Sequence, residues 1–190
     1  MNVAITDRKA TMHSKRFGLW IGLGSITMMF VALTSAYIVR RSAGNWMDFR
    51  LPNMFFISTI VILASSIALE MSYRSFVAHK EQVYKLWLFI SLLLRLMFCV
   101  TQYWGWQQLY NIGIPLTGNP SGSFIYAISA LHVAHVAGGI LAISMAIYHA
   151  FTLPFFVSGE RQNRFKMVLH YWHYVDILWI YLLLFFLIFR

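Results

Sequence analysis

Charge is scarce in this sequence. Asp, Glu, Lys and Arg make up 11% of its 190 residues, where soluble globular domains carry about 25%, and acids (6) are fewer than bases (15). So little charge cannot cover a soluble fold of this size. Cysteine is nearly missing too: the single Cys99 lies inside an apolar run, excludes an internal disulfide and reads as a small core residue. From Leu96 to Gly159 there is no Asp, Glu, Lys or Arg at all. The basic residues sit in short clusters between apolar runs and form no continuous patch, which argues against a nucleic-acid partner. Equally absent are a Gly-rich phosphate loop, an activated Ser or Cys, and a paired acid and base in one pocket, so no catalytic residues and no metal ligands are assigned. No period of roughly 20–50 residues repeats, so solenoid architectures are out.

What is present is apolar: 59% of the residues are hydrophobic. A bilayer core about 30 Å thick requires roughly 20 apolar helical residues, because backbone groups left unpaired in hydrocarbon cost several kcal/mol each. Five runs meet that length, at about 17–39, 51–73, 86–109, 123–151 and 167–189. The predicted fold class is all-α, an integral membrane bundle of five transmembrane helices. Residues 1–16 form a polar cytoplasmic segment and 17–190 the transmembrane domain. The run after residue 16 exceeds the roughly 7–15 apolar residues of a signal peptide, so the first helix is expected to be retained. Pro52 suits a helix start, and Gly113, Pro115, Gly118, Asn119 and Pro120 mark the turn between helices three and four.

Lys and Arg are distributed unequally between the two ends of these spans. With the N-terminus inside, the inner side carries Arg8, Lys9, Lys15, Arg16, Arg74, Lys80, Lys85, Arg161, Arg164 and Lys166, and the outer side only Arg40, Arg41, Arg50 and Arg190. The positive-inside rule therefore puts the N-terminus in the cytoplasm and the C-terminus on the far side. Tyr37, Trp46, Tyr73, Trp87 and Tyr110 fall near span ends, as interfacial anchors do.

Polar residues inside the spans are costly and usually face the bundle interior. In SALHVAHVAGGIL, His132, His135 and Gly139 share one face of helix four, and Gly138 and Gly139 would let a neighbouring helix come close. In HYWHYVDILWI, Trp172, Asp176 and Trp179 form a stripe, with His173 one turn before Asp176. That carboxyl must be protonated, paired or hydrogen-bonded, and His173 or a helix-four histidine is its expected partner. A b-type haem would need two imidazoles on opposite faces of a macrocycle, which His173 with His132 or His135 would have to supply. The competing and preferred reading is a buried hydrogen-bonded network that fixes helix packing. Glu70 and Arg95 lie at comparable depth in a hairpin of helices two and three and are expected to form an intramembrane ion pair, unless both snorkel to the interface.

The helix-four string HVAHVAGG and the helix-five string WHYVDILW together resemble the signatures of subunit III of the haem-copper respiratory oxidases (cytochrome c or quinol oxidases) in its short, five-helix form. The opening KRFGLWIGLGS, Ser65, Ser66, Phe98 and Gln102 extend the similarity along nearly the whole chain. Three positions depart from the family's pattern: Ile26 and Gly105 stand where acids are usual, and Arg95 where a glycine is usual. The resemblance implies a cofactor-free subunit of a proton-pumping terminal oxidase that reduces oxygen to water in a bacterial cytoplasmic membrane. Haems and copper would be held by partner subunits, and subunits I and II are the implied partners, within a larger respiratory supercomplex or without one. The resemblance also implies bound phospholipid, for which Arg161, Arg164 and Lys166 are the candidate head-group contacts. A haem-b subunit of another respiratory complex is the rival reading. A small transporter is disfavoured because no paired repeat of broken helices is seen. The electron donor, cytochrome c or quinol, is not encoded in these motifs.

Overall fold

Local chemistry sets the helix ends in the computed structural model, which describes residues 2–189 and their side chains from residue 14 onward. The first helix, α1 (Asn2–Ser42), includes the polar stretch ahead of the first apolar run. It stops where Gly44 and Asn45 take positive φ (84° and 54°), a conformation costly to an ordinary side chain and natural to glycine and asparagine. Pro52 precedes α2 (Asn53–Val77). His79, with φ 58°, makes the short turn into α3 (Glu81–Asn111). Asn119 caps α4 (Pro120–Thr152): its side chain accepts from the Ser121 N–H at 2.9 Å, and Pro120 opens the first turn, where a missing N–H costs nothing. Ser158 caps α5 (Gly159–Ile188) by accepting from Arg161 N–H at 3.2 Å, with Glu160 favourably placed at the positive helix end. All five helices are long and apolar enough to cross a membrane, with no strand among the described residues.

Small polar residues set how closely the helices pack. The α2–α3 hairpin is the most extensive contact. Along it Ser65 and Ser72 donate to the carbonyls of Ser91 (3.1 Å) and Tyr84 (3.0 Å), and Gln102 donates to Ser58 Oγ (2.8 Å). Serine brings two backbones together and satisfies its own hydroxyl, which serves in lipid where burial of apolar surface drives little. Helix α5 packs against α2, α4 and α1, whereas α1, among the described residues, touches α4 and α5. Helices α1 and α5 run parallel in a constant register: Arg16 donates to Asn163 (3.0 Å), Thr27 pairs with Tyr174 (2.8 Å) and Thr34 with Tyr181 (3.0 Å). Each partner is 147 positions further along the chain. At one end of the bundle the α1–α2 loop meets the α3–α4 loop through Asn119 Nδ2 and Asn45 O (3.4 Å). At the other end Arg16 lies against the start of α5 and Lys85 over Phe151. Arg16 and Lys85 thereby lie at the same end of the bundle as the start of α5.

Candidate functional site

The stripe on α5 and the histidine face of α4 meet in the interior. Trp172, Trp179 and His132 are fully buried, and Asp176 nearly so. Gly139 is required there, because a Cβ at that position would stand 2.5 Å from Trp172 Cζ2. His132 packs its ring against Trp179 (centroids 5.1 Å apart) and edge-on against Phe98 (5.8 Å). Trp179 in turn stacks on Phe55 (5.9 Å, 14° between planes) and donates from Nε1 to Thr59 Oγ1 at 2.9 Å. Gly105 leaves room for the Phe55 ring, which would lie 3.0 Å from an added Cβ. Any side chain at this position would press its Cβ on the Phe55 ring. Ile26, at the other departing position, is an apolar side chain packed on the core.

The expected pairing of Glu70 with Arg95 is not formed. Arg95 is fully buried and faces Asp176 across the bundle, with Nη1 at 3.4 Å from Oδ1, while its guanidinium lies over the Trp172 ring at 3.2 Å from the centroid. Glu70 instead accepts from Arg74 one turn along its own helix (2.8 Å) and stands 4.0 Å from His173 Nε2. The reason is helical phase rather than depth. On α3, Arg95 shares the buried row of Ser91, Phe98 and Gln102. On α2 the row facing α3 is Ser58, Ser65 and Ser72, and Glu70 points to the neighbouring side, toward α5. Asp176 correspondingly takes Arg95 as its partner and not a histidine.

The three histidines go separate ways. His135 is half-buried, with Nδ1 2.7 Å from the Leu131 carbonyl of its own helix, and its own carbonyl accepts from the Tyr171 hydroxyl (2.8 Å). His173 bonds Ser66 Oγ on α2 through Nδ1 (2.8 Å). His132 is enclosed by aromatic rings. Each imidazole thus has its own set of neighbours: the Leu131 carbonyl for His135, Ser66 for His173, and aromatic rings for His132. No group of three or more His, Cys, Asp or Glu side chains with metal-site spacing occurs among the described residues. Thr27, Thr34, Tyr174 and Tyr181 were not singled out from the sequence, although hydroxyls repeating every seven residues in two apolar helices mark such a seam.

Near the basic end of the bundle an apolar groove of about 360 Å³ opens between α3, α4 and the start of α5. Phe76, Tyr84, Ile143 and Phe165 form its walls, and His149, Arg161 and Arg164 add polar groups. Arg161 donates to the carbonyl of Pro154 (3.0 Å) and rests on the Phe156 ring (4.0 Å). Arg164 pairs with Glu160 at 2.5 Å. Lys166 is half-buried and is not part of the groove lining.

Five lipid-length helices, packed through serines and a buried aromatic core, define a multi-pass membrane protein. The family model for cytochrome c oxidase subunit III matches residues 6–190. A probable cytochrome c oxidase subunit 3 of Nocardia farcinica is 30% identical, covering 93% of this chain and 90% of the relative. One from Mycobacterium leprae is 29% identical (95% and 92%). The cytochrome c oxidase subunit 3 of Bacillus subtilis is 26% identical (93% and 88%). The chain belongs to the cytochrome c oxidase subunit III family, and so to an oxidase complex.

Proposed function

We propose that this chain is a non-catalytic, cofactor-free subunit of a proton-pumping haem-copper terminal oxidase, which stabilises the catalytic subunit and binds phospholipid. The observation that carries the reading is the use made of the motif residues: His132, Gly139, Trp172, Asp176 and Trp179 are all spent on helix-to-helix contact. Side chains sealed in this way touch no substrate, so their contribution is a rigid surface for a neighbour. Haems and copper then belong to partner subunits, with subunits I and II as the immediate neighbours. The separate surroundings of His132, His135 and His173 weigh against the haem-b alternative.

The gathering of Arg16, Lys85, Arg161 and Arg164 at one end favours an orientation with that end, and the N-terminus, in the cytoplasm of a bacterial cell. In that orientation the groove lies at the inner interface. Its apolar walls suit an acyl chain, and the cations near it favour an anionic head group by about 1 kcal/mol each.

The test is purification in mild detergent through a tag on this chain, followed by an absorption spectrum and a subunit gel. Haem-copper subunits are expected to co-purify and to keep their spectrum when this chain is stripped away. Haem that departs with this chain would overturn the reading.

A further inference from the structure

Among the described residues only one salt bridge has both side chains buried, and it is slack. Arg95 Nη1 stands 3.4 Å from Asp176 Oδ1, whereas charge-assisted N–H···O contacts close to about 2.7–2.9 Å and arginine commonly grips a carboxylate with two of them. The remaining polar atoms of the pair are buried: Arg95 Nε and Nη2 have no hydrogen-bond partner among the described residues, and Asp176 Oδ2 has none at full hydrogen-bond distance, although the Ser66 hydroxyl also interacts with this carboxyl. Trp172 Nε1 is in the same condition as the arginine nitrogens. These atoms share one neighbourhood. Both arginine nitrogens are bonded to the Cζ that sits 3.2 Å from the Trp172 ring centroid, and Oδ2 shares its carbon with the oxygen facing Nη1.

A buried donor or acceptor left without a partner is costly, and more so for charged groups, and a dry pair in hydrocarbon would close to relieve it. We propose that this interior site between α3 and α5 holds a small cluster of water molecules bridging Arg95 Nε and Nη2, Trp172 Nε1 and Asp176 Oδ2. The donor set selects the ligand. The charges of Arg95 and Asp176 cancel, so the site attracts neither an anion nor a cation. It offers several N–H donors and one carboxylate oxygen to a molecule that both accepts and donates, and a buried water makes about three such bonds. His132 on α4, whose two ring nitrogens are likewise buried and unpartnered, extends the same demand one turn further along α5, beside Trp179. Ser66 links the site to the helix surface: it interacts with Asp176 and bonds His173 Nδ1 at 2.8 Å. The site goes beyond the supporting role proposed above and stands apart from the lipid groove.

Radiolytic footprinting of the intact complex tests it, because a short X-ray pulse makes hydroxyl radicals from water held inside a protein and oxidises the side chain beside it. Trp172 and Tyr37 are both fully buried, but the Tyr37 hydroxyl is already bonded to the Phe189 carbonyl at 3.0 Å. Trp172 is expected to be oxidised several-fold faster than Tyr37, because a buried water lies beside it. The Arg95→Met complex, where it assembles, should bring the two rates together. Equally slow oxidation of Trp172 and Tyr37 in the unmodified complex would show the site to be dry and would overturn the proposal.

Discussion

The Trp172 indole occupies the space that a side chain at Gly139 would need: its Cζ2 lies 2.5 Å from where that Cβ would be, with Tyr171 Cε1 at 2.9 Å on the other side. The indole has little room to retreat, since Trp172 is fully buried and carries Arg95 on its face. Gly139→Val is therefore expected to push α4 and α5 apart and cost about 1–3 kcal/mol of overpacking. The check is the dissociation temperature of the purified complex, with Gly138→Val as control. Nothing lies within 4 Å of a Cβ at Gly138, so that complex should behave as the parent does.

Arg95 and Asp176 should behave as a unit. Removing either partner leaves an uncompensated charge in the interior and should cost about 3–5 kcal/mol, while exchanging both for apolar residues restores much of the loss. Arg95→Met and Asp176→Leu are thus expected to assemble poorly alone and far better together, read as the yield of complex recovered from membranes. If the double variant were the sum of the two singles, the pair would be uncoupled. Glu70→Gln, which touches only the half-exposed contacts to Arg74 and His173, should leave assembly within about 1 kcal/mol of the parent.

The parallel seam of α1 and α5 rests on hydroxyl pairs in an otherwise apolar contact. A double-mutant cycle with Thr34→Val and Tyr181→Phe is expected to give a coupling of about 0.6 kcal/mol, the usual worth of an interhelical hydrogen bond in a bilayer. Thermal dissociation of α1-dependent contacts in the four complexes measures it, and additive losses would mean that the 3.0 Å pair carries no energy of its own.

For the groove at the basic end, Arg161→Gln combined with Arg164→Gln should lower retention of anionic phospholipid while neutral lipid is retained as before. Two cations near the surface contribute about 2 kcal/mol together, enough for a loss of about tenfold or more. Native mass spectrometry of the detergent-solubilised complex reads this directly. Equal loss of both lipid classes would point to collapse of the Pro154–Phe156 loop, which Arg161 also holds.

The membrane class, the number of helices and their turns were legible in the chain itself, because each depends on local properties. Apolar length decides whether a segment spans, and Asn119 and Pro120 start a helix through a local hydrogen bond and a fixed backbone angle, whereas the stop at Gly44 and the start at Ser158 emerged from the structure. The small and polar residues that belong to the interior were legible for a similar reason: Gly139, Trp172, Asp176 and His132 had nowhere else to go at membrane depth. Partner choice was not. Depth along the chain placed Glu70 level with Arg95, but whether two side chains meet depends on the rotation of each helix about its axis. That rotation is set by every contact on the helix at once. Only the packed bundle turned Arg95 toward Asp176 and Glu70 toward Arg74 and His173, drew Thr27 and Thr34 onto Tyr174 and Tyr181, and closed His132 behind Trp179. Composition and spacing thus determined what this protein is made to sit in and how often it crosses. The tertiary structure decided which polar groups answer one another, because those distances arise between helices far apart in the chain.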